Sequence, residues 1–84
     1  MADKKVDEII ALMDLLIEDT SVPKNIRKAV SEAREHLRSQ IELPTKCSSA
    51  VYSLEAVSED INMPMHARTQ IWTILSALES IKTQ

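Results

Sequence analysis

The sequence predicts an all-α fold: an antiparallel up-and-down four-helix bundle built from two repeated helical hairpins. Three observations predict it. Apolar residues recur at helical spacing through most of the chain. Glycine is absent, and with it the residue that tight β-hairpins and phosphate-cradling loops require. One hinge-like phrase also occurs twice, 41 residues apart: Glu18-Asp19-Thr20-Ser21-Val22-Pro23-Lys24-Asn25-Ile26-Arg27 and Glu59-Asp60-Ile61-Asn62-Met63-Pro64-Met65-His66-Ala67-Arg68. Each copy reads two acids, two spacers, an apolar residue, proline, three residues and arginine.

Helix 1 is expected over 3–19, with Asp3 as its N-cap. Val6, Ile9, Ile10, Met13, Leu16 and Ile17 form its core face, and Leu12 widens it. Leu15 falls nearly opposite. In the hinge, Ser21 is placed to cap the next helix and Pro23 to occupy its first turn, where a missing N–H is harmless. Helix 2 should run to Ile41, burying Ile26, Ala29, Val30, Ala33 and Leu37. Pro44 breaks the chain next and should push Leu43 out of helical geometry. Helix 3 is expected over 45–60, with Cys47, Ala50, Val51, Leu54 and Val57 inside and Ile61 just beyond. Asn62 and Pro64 repeat the cap and proline. Helix 4 is expected over 63–82, burying Ala67, Ile71, Ile74, Leu75, Leu78 and Ile81.

Four helices joined by short links imply antiparallel neighbours. The period and the hinge after Leu16-Ile17 are similar to HEAT-type repeats. Stacked solenoids need about three repeats or more, so two hairpins that close on each other are favoured.

The 84 residues make one domain, 1–84, with halves of about 1–41 and 42–84. A domain this small has about 4–13 kcal/mol of net stability, which leaves little for a deep, strained catalytic pocket. The net charge of −3 is too mild for an acidic tail or a strongly basic nucleic-acid coat. Cys47 is the one cysteine, so no internal disulfide or paired-cysteine metal site can form, and a cytoplasmic location fits. No apolar run reaches the roughly 18 residues of a membrane helix.

The first hinge phrase, Glu18 to Arg27, and the stretch Asn62-Met63-Pro64-Met65-His66-Ala67-Arg68-Thr69 resemble those of a family of small archaeal proteins of unknown function. The Ile71-Trp72 and Leu78-Glu79-Ser80-Ile81 segments resemble it as well. The resemblance covers nearly the whole chain. It implies a four-helix bundle in an archaeal cytoplasm, and it implies no catalytic residue.

The twin sets Glu18, Asp19, Arg27 and Glu59, Asp60, Arg68 are expected to be structural. The acids could accept free N–H groups at the start of the following helix, and each arginine could clamp the hinge carboxylates in a forked pair. Acid–base or metal chemistry is the competing reading. The Glu-x-x-His pairs of di-iron bundles are missing from both hinges. His36 is expected at the surface near the end of helix 2, His66 in the first turn of helix 4, and Cys47 in the core. No metal and no cofactor is expected from them.

Two faces are candidates for binding. Lys24, Arg27, Lys28, Arg34 and Arg38 lie within roughly 120° of arc on helix 2. That stretch holds five bases and two acids, so it carries +3, and the chain's −3 leaves −6 elsewhere. Such a stripe could meet phosphates, but Glu35 interrupts it and no aromatic is interleaved for base stacking. The second face comes from comparing the halves. Shifted by 41, Lys24, Lys28 and Ser31 become Met65, Thr69 and Trp72. A tryptophan and a methionine on the flank of helix 4 suit a contact surface. They equally suit a tryptophan folded over the edge of its own bundle, and Tyr52 could join either arrangement. The chain therefore reads as a non-enzymatic protein-interaction module, docking a protein partner or itself through Met65, Thr69, Trp72 and Leu15. An accessory nucleic-acid or ribonucleoprotein factor using helix 2 is the alternative.

Overall fold

The computed structural model describes residues 4–82. Its elements are α1 (Lys4–Ile17), α2 (Lys24–Arg38), α3 (Leu43–Glu55) and α4 (Met65–Lys82). The Asp3 cap lies outside the described residues.

Each helix buries one apolar stripe. Met13, Leu16, Ile26, Val30, Ala33, Leu37, Leu54, Ile71, Ile74 and Leu78 are at most 2% exposed, and Cys47 lies among them. The helices meet as adjacent neighbours: α1 on α2, α2 on α3, α3 on α4, and α4 back on α1. The radius of gyration, 11.9 Å, matches the roughly 12 Å of a compact chain this long. No described helix is long and apolar enough to cross a membrane.

The helix ends differ from expectation, and each difference has a local cause. α1 stops at Ile17 instead of Asp19, because the Asp19 N–H turns to Leu16 O (3.2 Å) and tightens the last turn. α2 stops at Arg38, not Ile41. Ser39 ends it in extended geometry, giving both its N–H (3.2 Å) and its hydroxyl (2.6 Å) to His36 O. Pro44 does not exclude Leu43 from α3. The extended residue is Glu42, at the N-cap, and proline sits in the first turn without loss because the N–H groups there have no helical partner. At the other end α3 yields at Glu55, where the Val57 N–H bonds Leu54 O (3.1 Å) and the Ser58 N–H bonds Glu55 O (3.4 Å).

Neither Ser21 nor Asn62 caps a helix. Pro23 holds the N-cap of α2 with no side-chain hydrogen bond, and the Ser21 hydroxyl turns back to Asp19 Oδ1 at 2.6 Å. Asn62 likewise gives its N–H to Asp60 Oδ1 at 2.8 Å, and α4 begins at Met65, not Met63. Ile61 is not near the core but 91% exposed. It sits at the corner of the turn closed by the Met63 N–H on Asp60 O (3.2 Å), where a side chain points outward. No residue among those described has a positive φ, so every link is made from right-handed and extended geometry.

Candidate functional site

The two hinges share one local design. The Val22 N–H bonds Asp19 O at 3.1 Å, and the Met63 N–H bonds Asp60 O at 3.2 Å. The Ser21 N–H bonds Asp19 Oδ1 at 2.9 Å, as Asn62 does with Asp60. An aspartate that accepts from the chain two residues on is a local turn device. Val22 and Met63 are then driven into the core, at 1% and 5% exposure. The arginines grip backbone, not carboxylate. Arg27 Nε donates to Val22 O (2.9 Å) and Arg68 Nη2 to Asp60 O (3.1 Å). The forked carboxylate pair is therefore corrected. A carbonyl turned inward by the hinge needs a donor, and the arginine stem can cover the turn while supplying one.

The hinges are also tied to each other. Asn25 Nδ2 donates to Asp60 Oδ2 at 2.9 Å, and His66 Nε2 lies 2.7 Å from Asp19 Oδ2. Asn25 and His66 are equivalent positions, 41 apart, so each hinge supports the other's aspartate reciprocally. α1 and α3 end here, and α2 and α4 begin here. Spacing within one hinge could not show this pairing.

Ser21, His66 and Asp19 meet, but not as a nucleophilic triad. Ser21 Oγ lies 3.5 Å from His66 Nε2, the same nitrogen that faces Asp19, and its proton is directed to Asp19 Oδ1. A triad needs the serine and the acid on opposite ring nitrogens. What the cluster does is hold Asp19 ionised. The Ser21 hydroxyl, then His66, then the Ser21 N–H lower its pKa to about 2. The Asn25 amide and the Asn62 N–H lower that of Asp60. A depressed carboxylate stabilises the fold above its unfolded pKa, near 3.8, and that stability is lost as pH falls toward 2. The melting temperature should fall over that window, and Asp19→Asn should flatten the fall. A thermal-melt series across the window checks it.

Two members of the basic stripe on α2, Arg27 and Arg34, are engaged within the fold. Arg34 Nη1 lies 2.5 Å from Asp14 Oδ1, joining α2 to α1, and Arg38 Nη1 is 3.8 Å from Glu35. With Arg27 turned inward, Lys24, Lys28 and Arg38 remain as its exposed members. His36, at the end of α2, is half-buried.

The α4 face is open. Met65 is 77% and Trp72 57% exposed. The Thr69 hydroxyl between them bonds Met65 O at 3.1 Å, within its own helix. Trp72 borders a shallow groove of about 410 Å³ between α3 and α4, with Glu55, Leu75, Ser76 and Glu79. Tyr52 (78%) and Leu15 (61%) are exposed on α3 and α1. The edge-covering alternative for Trp72 thus holds for less than half of its surface.

The model of the Uncharacterised protein family UPF0147 matches residues 1–81. The chain belongs to the UPF0147 family. A UPF0147 protein of Archaeoglobus fulgidus is 40% identical over all of this chain and 97% of its own length. UPF0147 protein MJ1419 of Methanocaldococcus jannaschii is 44% identical, covering 96% of this chain and 92% of its own. The crystal structure of the unknown function protein MMP1188 superposes with a TM-score of 0.88 at 43% identity, over 90% of this chain and 88% of that one. The archaeal resemblance and the four-helix fold are therefore established. UPF0147 names no reaction, so function rests on the geometry above.

Proposed function

We propose that the protein is a non-enzymatic interaction module, an antiparallel up-and-down bundle of two repeated hairpins that docks a protein through the outer face of α4. The observation that carries this reading is the exposure of Trp72 and Met65 on one face of α4. They stand where the first half has Ser31 and Lys24. A half-exposed tryptophan beside a groove supplies the large, rigid contact area on which interface energy concentrates. The partner is another protein or a second copy of this chain. A cytoplasmic setting fits the lone, buried Cys47.

Light scattering on the native protein and on Trp72→Ala tests the reading. A native dimer that falls to a monomer on substitution puts the self-contact on α4. A monomer in both removes self-association, and the face then serves a different protein. The nucleic-acid reading keeps Lys24, Lys28 and Arg38. It requires an affinity that falls steeply with salt, and an affinity unmoved by salt ends it.

A further inference from the structure

The α1–α2 and α3–α4 grooves can be compared position by position. The hinge turns coincide at a shift of 41, Val22 on Asp19 and Met63 on Asp60, so the sequences on either side of them can be set against each other. In the first groove the Asp14 carboxylate is met by Arg34, whose side chain is 22% exposed. Shifted by 41, Asp14 becomes Glu55, Arg34 becomes Leu75, Arg38 becomes Glu79 and Ser31 becomes Trp72. The second groove keeps the carboxylate, loses both guanidinium groups, and adds an indole and a second acid. None of the residues lining it is basic. Among the described residues, none is found donating to the Glu55 carboxylate.

We propose that the α3–α4 groove takes an arginine side chain from a basic segment of a partner protein, an inference that rests on reading the α4 outer face as a docking surface. The first groove shows the fit within the same chain, a guanidinium lying between two helices on a carboxylate. In the second, the guanidinium would meet Glu55 and stack on Trp72, with its methylene stem over Leu75. A planar cation suits that combination of carboxylate and aromatic face better than an ammonium does. A groove with no basic residue in its lining and the Glu55 carboxylate at its edge repels nucleic-acid phosphates, so a protein segment is the occupant.

Trp72 is the chain's only tryptophan, so its fluorescence reports the groove directly. The probe is a short blocked peptide carrying a pair of arginines, with the citrulline peptide, equal in shape and uncharged, as control. The expected result is a saturable change with the arginine peptide alone, weakened about tenfold by Glu55→Gln and weakened by added salt. Leu75→Arg, which copies the first groove, should block the response, and Glu55→Gln, at an exposed site, tests the same point without disturbing the core. Equal responses to the two peptides, no response at all, or unchanged binding by Glu55→Gln overturns the inference. The two readings fail separately. A dimer dissolved by Trp72→Ala, together with no arginine response, keeps the docking face and ends the arginine inference. An arginine response, with a mass that Trp72→Ala leaves unchanged, upholds the inference and ends self-association.

Discussion

Leu54→Ala is expected to lower stability by about 3 kcal/mol, within the 2–5 kcal/mol range of buried leucine truncations. Leu54 is fully buried in α3, the helix packed against both α2 and α4. Both neighbouring helices lose contacts at once, and neither can close the gap without moving. For a domain whose total stability is about 4–13 kcal/mol, this is a large fraction. The melting temperature should drop by roughly 12–24 °C, at about 4–8 °C per kcal/mol for this size. Ile61→Ala is the matched control. Both substitutions trim a branched aliphatic side chain in the second half, but Ile61 is 91% exposed, so its change should stay within about 0.5 kcal/mol. Melts and urea titrations of the two variants check the pair. Equal losses would mean that Ile61 packs inside.

The second large effect is at the hinge arginines. Arg27→Ala should lower stability by about 1.5–3 kcal/mol, the range for a hydrogen bond from a charged donor. It leaves Val22 O without its side-chain donor in a part-buried turn. Arg68→Ala should do the same to Asp60 O. Arginines that gripped the aspartate side chains would couple energetically to them. The bonds seen here predict otherwise. A double-mutant cycle between Arg27 and Asp19 should return little coupling, and one between His66 and Asp19 should return more. Strong Arg27–Asp19 coupling would restore the forked pair that spacing alone suggested.

That contrast marks how far sequence reasoning reached. The core stripes were legible because burial follows the helical period, and Met13, Ile26, Leu54 and Ile71 fall where the period puts them. The doubled phrase located both hinges, since two acids and a proline at fixed spacing stop one helix and start another. Helix ends were less legible. They depend on single backbone bonds, such as Ser39 on His36, and on whether a proline lies before or inside the first turn. Partners across the fold were not legible at all. Nothing in the spacing of Asn25 and Asp60, or of Asp14 and Arg34, says that they meet. The Arg34 pairing within the α2 stripe was hidden for the same reason: periodicity counts charges on a face but not the acids that a neighbouring helix brings to it. The exposure of Met65 and Trp72 on α4 fits a reversal that comparing the halves exposed, lysine and serine giving way to methionine and tryptophan.

The links between helices contain no glycine and no residue of positive φ. The consequence lies in the denatured chain. A glycine at a link roams over about twice the backbone territory of other residues, and all of that freedom is forfeited on folding. Where the native geometry suits any residue, filling the position with alanine or a larger residue removes the excess from the unfolded ensemble and stabilises by about 0.4–1 kcal/mol. Every turn position here meets that condition. Part of this small protein's stability is thus held by no contact in the fold. It comes from how few ways the chain has of being unfolded.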